Sequence, residues 1–154
     1  MKANVLPLTD EEATVAIGYA LAKICDRTSA IYLHGDLDAG KSTFCRGFLQ
    51  YLGYQGIIER PTFTLVKRYT LHPLTLYHFV LYRLADPNKL QFIGICDYFM
   101  QNVIYLVKWA QQGWHILPKA DLSLYLSYYN QGSKAKIQAM SSYGNQLIAR
   151  IYGQ

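Results

Sequence analysis

The chain has three cysteines, Cys25, Cys45 and Cys96, odd in number and widely spaced. That spacing makes no zinc pattern and no disulfide framework. A reduced, cytoplasmic protein is the expectation. No apolar run is long enough to span a bilayer, and Met1–Pro7 lacks the long apolar core and cleavage site of a secretion signal. Lys and Arg outnumber Asp and Glu by 15 to 10, a net charge of +5, yet no Lys/Arg-rich run appears. The balance favours anionic partners such as nucleotides or RNA, while the missing run speaks for a modestly basic solvated surface; neither DNA nor a membrane is an expected partner. There is no internal repeat, low-complexity tract or linker, so the 154 residues read as one domain, 1–154. An apolar content of 51% and an aromatic content of 14% exclude a disordered chain. Most aromatic residues fall in apparent core strands, which argues against a platform for single-stranded nucleic acid.

What is present is the stretch Gly35-Asp36-Leu37-Asp38-Ala39-Gly40-Lys41-Ser42. Two glycines separated by four residues and followed by Lys-Ser form the phosphate-loop pattern. Glycines let backbone N–H groups converge on a phosphate chain. A helix expected to start at about Lys41 adds its positive end. Lys41 would reach the outer phosphates, and the Ser42 hydroxyl would ligate magnesium. The flanks agree: Ala30–Leu33 reads as a buried strand, and Phe44, Phe48, Leu49 and Leu52 recur at helical spacing before Gly53. Asp38 disturbs the pattern, because it sets a carboxylate in a loop built for anions. Either it turns to solvent or it weakens phosphate binding.

Around the loop, Thr9 and Glu12 form a capping box, and Ala16, Ala20, Leu21 and Ile24 form an apolar stripe. Arg60-Pro61-Thr62 precedes an extended stretch from Phe63 to Tyr69; in a phosphate-loop protein this segment often senses the terminal phosphate, and otherwise it is simply the start of an edge strand. Leu71–Leu74 reads as a turn and Thr75–Leu81 as a strand. Asp86-Pro87 starts a helix, with Leu90, Phe92, Ile93 and Ile95 expected to pack on the sheet. Val103–Val107 reads as a central parallel strand. Gln111–Pro118 is a loop, and Leu122–Tyr129 pairs with Lys134–Met140 across residues 130–133. The sum is an α/β, three-layer phosphate-loop NTPase-like fold. Its sheet is mainly parallel with helices on both faces and a C-terminal antiparallel hairpin.

A phosphate-loop hydrolase needs a second carboxylate at a neighbouring strand end to hold magnesium. After Val107 the residue is Lys108, and after Tyr77-His78-Phe79 it is Val80. Neither supplies that group.

The blocks Gly35-Asp36-Leu37, Ala39–Phe44, Arg46-Gly47, Pro61–Val66, Tyr77-His78-Phe79, Leu81–Leu84, Gly94-Ile95, Asp97-Tyr98, Val107 and Trp109 together resemble the bacterial TsaE (YjeE) family of small ATPases. The resemblance runs from about Leu6 to the C-terminus. It implies a role in making threonylcarbamoyladenosine in tRNAs that read ANN codons. Family members bind ATP and magnesium and associate with TsaD and TsaB; TsaD carries the transfer chemistry, so tRNA is an indirect partner. By the same resemblance the nucleotide would be held by Gly35, Asp38, Ala39, Gly40, Lys41, Ser42, Thr43 and Trp109, with Glu11 approaching it. Thr62 would keep a switch hydroxyl, and Ser42 the metal-ligand chemistry.

This chain departs from the family where the chemistry sits. Asp38 replaces Gly, Val80 replaces Asp, Lys108 replaces Glu, Arg60 replaces a common Ser, and Ser133 replaces a frequent Arg. ATP hydrolysis is therefore expected to be impaired, and dependence on magnesium weakened or absent. Lys108 either offsets phosphate charge itself or pairs with Asp38 and closes the site. The alternatives are a non-catalytic nucleotide-binding or interaction module of the same complex, or a small phosphate-loop kinase. A kinase would need an acceptor-binding lid and arginines near the phosphates, whereas Arg46, Arg60, Arg68 and Arg83 are scattered.

Overall fold

The computed structural model describes residues 3–8, 11–25, 29–35, 38–54, 66–70, 75–80, 103–108, 120–129 and 132–152. The chain runs β1 (Ala3–Leu8), α1 (Glu11–Ile24), β2 (Ser29–His34), α2 (Asp38–Tyr51), β3 (Val66–Thr70), β4 (Thr75–Val80), β5 (Val103–Lys108), β6 (Leu122–Tyr129), β7 (Gly132–Ala139) and α3 (Ser142–Tyr152). The described strands form a seven-stranded sheet in the order β1-β7-β6-β2-β5-β4-β3. Its four central strands, β6, β2, β5 and β4, are mutually parallel. Antiparallel strands extend both edges: β7 and β1 on one side, β3 on the other. The strand that leads into the phosphate loop thus lies in the middle, with parallel neighbours on both sides.

Sheet alternation explains the core. Ile31 and Leu33 of β2, Ile104 and Leu106 of β5, and Leu122, Leu124 and Leu126 of β6 point to one face. Leu21 of α1, Phe44, Phe48 and Leu49 of α2, and Tyr143 and Leu147 of α3 close over it. All six residues of β5 are buried, as a central parallel strand requires. The helix read at Asp86–Ile95 and the loop read at Gln111–Pro118 lie outside the described residues, as does the turn read at Leu71–Leu74.

Two glycines let α1 and α2 touch by their backbones. A Cβ on Gly18 would lie 2.3 Å from the Phe44 carbonyl oxygen, and one on Gly47 would lie 2.2 Å from that of Val15. The contact is reciprocal, each helix offering a glycine to the other's main chain. It also redirects α1. Its buried face runs through Thr14, Gly18, Leu21, Ala22 and Ile24, while Ala16, expected in the apolar stripe, is exposed. Close backbone approach, rather than apolar count, selects the buried face.

Helix α2 ends where Gly53 was expected to stop it. Gly53 has φ 84°. Its N–H donates to the Gln50 carbonyl and that of Tyr54 to the Leu49 carbonyl, each at 3.1 Å, a Schellman closure.

Three features differ from the sequence expectation. Strand β1 and helix α3 were not foreseen. Ser141 caps α3, its Oγ accepting from the Gly144 N–H at 2.9 Å and donating to Asp121 Oδ1 at 2.7 Å. Asp121 in turn joins β2 to β6: its Oδ2 accepts from the Ala30 N–H at 2.9 Å, and its own N–H donates to the Ala30 carbonyl at 2.8 Å. The hairpin is tighter than expected, since Tyr129 already pairs with Gly132. Residues 132 and 133 belong to β7, because a two-residue connection matches the twist of the strands.

The glycine contact has a measurable consequence. Ala is the better helix former by about 1 kcal/mol, yet Gly47→Ala is expected to lower stability by about 1–3 kcal/mol, because the new methyl meets backbone that cannot turn aside. Urea unfolding, with an unchanged m-value, measures it.

Candidate nucleotide site

The phosphate loop leaves the sheet at Gly35, which has φ 112°. A Cβ there would lie 2.0 Å from the Leu126 carbonyl oxygen of β6. Only glycine satisfies both the left-handed backbone and the close approach. Helix α2 begins at Asp38, three residues before the expected start at about Lys41. Asp38, Ala39, Gly40 and Lys41 therefore form its first turn, whose N–H groups have no acceptor within the helix. These are the donors that hold an anion at a helix N-terminus. Asp38, Ala39, Ser42 and Val80 are placed by their backbones. Gly40 is buried, Thr43 is half-buried and Lys41 is 1% exposed.

The two strand ends that lack the expected carboxylate lie side by side. Lys108 pairs in register with Leu33, two residues before Gly35. On its other side it pairs with Val80. The backbone thus gathers both expected carboxylate positions beside the phosphate loop, at the C-terminal ends of parallel strands. That is the usual ligand position in such sheets.

Lys108 itself is 4% exposed. Its charge is felt by two buried neighbours. Cys45 Sγ of α2 and His78 Nε2 of β4 lie 3.7 Å apart and hydrogen bond. Burial pushes the Cys45 thiol up to about 11, against an opposing pull from Lys108. Burial, reinforced by the Lys108 charge, pushes His78 down to about 3. Both groups are therefore neutral at physiological pH. Near the loop, burial and the Lys41 charge likewise lower His34. Among the described residues no group of three or more His, Cys, Asp or Glu is arranged to hold a metal ion. Lys108 stands at the strand-end position where a magnesium site would need an acid, so among the described residues none supplies that ligand.

Glu11 lies in the first turn of α1 and forms an exposed ion pair with Arg46 of α2. Thr62 and Trp109 lie outside the described residues. Sequence reading missed Cys45 and His34 as neighbours of the site. His34 stacks on Tyr125, with ring centroids 4.6 Å apart, and Lys136 Nζ lies 5.8 Å from the Tyr125 centroid. Its position immediately before Gly35 was the available signal.

The profile of the family described as "Threonylcarbamoyl adenosine biosynthesis protein TsaE" matches residues 8–137. The chain belongs to the TsaE family. It is 40% identical over 147 residues to the tRNA threonylcarbamoyladenosine biosynthesis protein TsaE of Haemophilus influenzae, covering 92% of this chain and 93% of that one. With the Bacillus subtilis protein of the same name it shares 37% identity over 113 residues, 73% of this chain and 70% of the relative. The crystal structure of Bacillus subtilis YdiB superposes with a TM-score of 0.82 at 28% identity, covering 99% of this chain and 95% of that one. The family's phosphate-loop fold is therefore the fold of this chain, parallel centre and antiparallel C-terminal hairpin included.

His78 makes stability pH-dependent. Its value in the fold is about 3 against 6.5 unperturbed. Above 6.5 neither state binds the proton, and the stability is complete. Below it, the unfolded chain takes up a proton that the fold excludes, so stability falls by up to about 1.4 kcal/mol per pH unit. His34 acts in the same direction. The urea midpoint is expected to fall between pH 7 and pH 5, and His78→Leu is expected to flatten most of that slope.

Proposed function

We propose that this chain binds ATP on the Gly35–Ser42 loop and serves threonylcarbamoyladenosine formation in tRNA, acting in the cytoplasm with TsaD and TsaB. The observation that carries the reading is the junction of β2 and α2. Gly35 turns against the Leu126 carbonyl, the first turn of α2 offers its N–H groups, and Lys41 is buried beside them. Membership of the family supplies the pathway. A phosphate chain of a nucleotide is the ligand whose charge and shape this junction meets. No described helix is long and apolar enough to cross a membrane.

Hydrolysis in this reading is slow. The two positions that would supply carboxylates carry Val80 and Lys108, and neither can hold a divalent ion or orient water as an acid does. Burial of Lys108 also favours a second reading, in which the chain acts in the same complex as a nucleotide-bound interaction module without turnover. A kinase role has less support, since Arg46, Arg60, Arg68 and Arg83 are scattered along the sequence and membership of the family points to tRNA modification.

Complementation of a TsaE-depleted bacterium tests the proposal, with threonylcarbamoyladenosine in tRNA measured by mass spectrometry. Lys41→Ala is expected to give no modification. Lys108→Glu combined with Val80→Asp is expected to restore more than the unaltered chain does. Full rescue by the unaltered chain would refute slow hydrolysis. Failure of both the unaltered chain and the double variant, with each folded and expressed, would remove the pathway reading.

A further inference from the structure

We infer that His34, Tyr125 and Lys136 form a binding face for single-stranded RNA, on the side of the sheet turned away from α1, α2 and α3. The face uses no residue of the Gly35–Ser42 loop. Only the choice of RNA over DNA rests on the proposed role in tRNA modification.

Strand register assembles the face. His34 of β2 pairs with Tyr125 of β6, and Tyr125 pairs with Lys136 of β7. Their chain neighbours Leu33, Leu124, Leu126, Ala135 and Ile137 belong to the core under the helices. Alternation therefore turns His34, Tyr125 and Lys136 to the other face. The rows beside them hold Tyr32, Ser123 and Gln138 on one side, and Ser127 and Lys134 on the other. None of these strand residues is acidic.

Two features fit a base and the phosphate next to it. The first is a supported, exposed ring. Tyr69, Tyr77 and Tyr105 of the sheet are buried, as core strands require, whereas Tyr125 is 37% exposed. Its ring stacks on the half-buried His34, with centroids 4.6 Å apart and planes 18° from parallel. Strand β6 lies between β2 and β7, so His34 backs Tyr125 from the β2 side and leaves the side toward β7. A ring already held by packing loses little freedom when a base stacks on it. The second feature is the cation on that other side. Lys136 is exposed, and its Nζ lies 5.8 Å from the Tyr125 centroid, near the outer limit of a cation–π contact. Its flexible stem lets the ammonium swing aside for a base and meet the adjoining phosphate. A paired base keeps its faces inside a duplex, so an unpaired strand is the form that can stack here.

The test is fluorescence anisotropy of the full chain with a labelled, unstructured RNA of about 12 nucleotides, and with the same strand annealed to its complement. The single strand is expected to bind about tenfold more tightly than the duplex. Tyr125→Ala is expected to weaken its binding by about tenfold, the loss of one stacked base, while Tyr125→Phe stays within about twofold. Lys136→Ala is expected to weaken it about threefold and to flatten its log–log salt dependence by about 0.7. RNA carrying photoreactive iodouridine is expected to crosslink to Tyr125 or His34, located by mass spectrometry of the digest. That arm needs no variant, so it decides the matter even where a variant does not fold. Equal binding of single strand and duplex, or crosslinks confined to other residues, would overturn the inference. Loss of RNA binding in excess ATP would overturn it by assigning the strand to the nucleotide loop. Absence of binding to either RNA would overturn it and leave the face to a protein partner. None of these failures touches the complementation test, which turns on Lys41, Val80 and Lys108.

Discussion

At Gly35 the main chain must leave the middle of the sheet without a side chain. The turn lies against the Leu126 carbonyl of β6, so close that a Cβ would sit 2.0 Å from it, and its φ is 112°. Everything functional is set by that passage. It ends β2 between two parallel neighbours and aims α2 back across the sheet. Helix α2 also reaches β4, where Cys45 Sγ meets His78 Nε2. The reciprocal contact of Gly18 and Gly47 then holds α2 against α1, so the helix that presents the loop is fixed by backbone rather than by flexible side chains. Asp121 secures the other end of β2 through both main-chain groups of Ala30. Rigid elements of this kind keep the donors of a phosphate site in place before any ligand arrives.

Charge follows from the same arrangement. Burying a lysine is costly unless the surroundings compensate it. The fold buries two, Lys41 and Lys108, where parallel strands end and a helix begins. It also keeps Cys45 and His78 neutral beside Lys108. A metal-using hydrolase instead places acids at such strand ends, where they hold the divalent ion that offsets phosphate charge.

Strong local signals were legible in the chain. The phosphate loop, the stop of α2 at Gly53, strands β4, β5 and β6, and the pairing of β6 with β7 each rest on residues close in sequence. Helix α3 was not read, although Tyr143, Leu147, Ile148 and Ile151 recur at helical spacing. Its cap at Ser141 is completed by Asp121, twenty residues earlier. Strand β1 was missed because an edge strand of six residues containing Pro7 gives little pattern. The stripe assigned to α1 included Ala16 because alanine is apolar, whereas the burial there obeys the path of a neighbouring helix.

By itself the sequence determined the chemistry available: a loop for phosphates, a lysine within it, and Val80 and Lys108 where acids were sought. It also determined family membership, through blocks spread along most of the chain. Tertiary structure alone decided that Val80 and Lys108 are register neighbours beside Leu33. It alone brought Cys45 of α2 to His78 of β4 and buried Lys108 next to both. The physical reason is range. Propensity, capping and turn chemistry act over a few residues, whereas strand order and the burial of a charge depend on segments far apart in the chain.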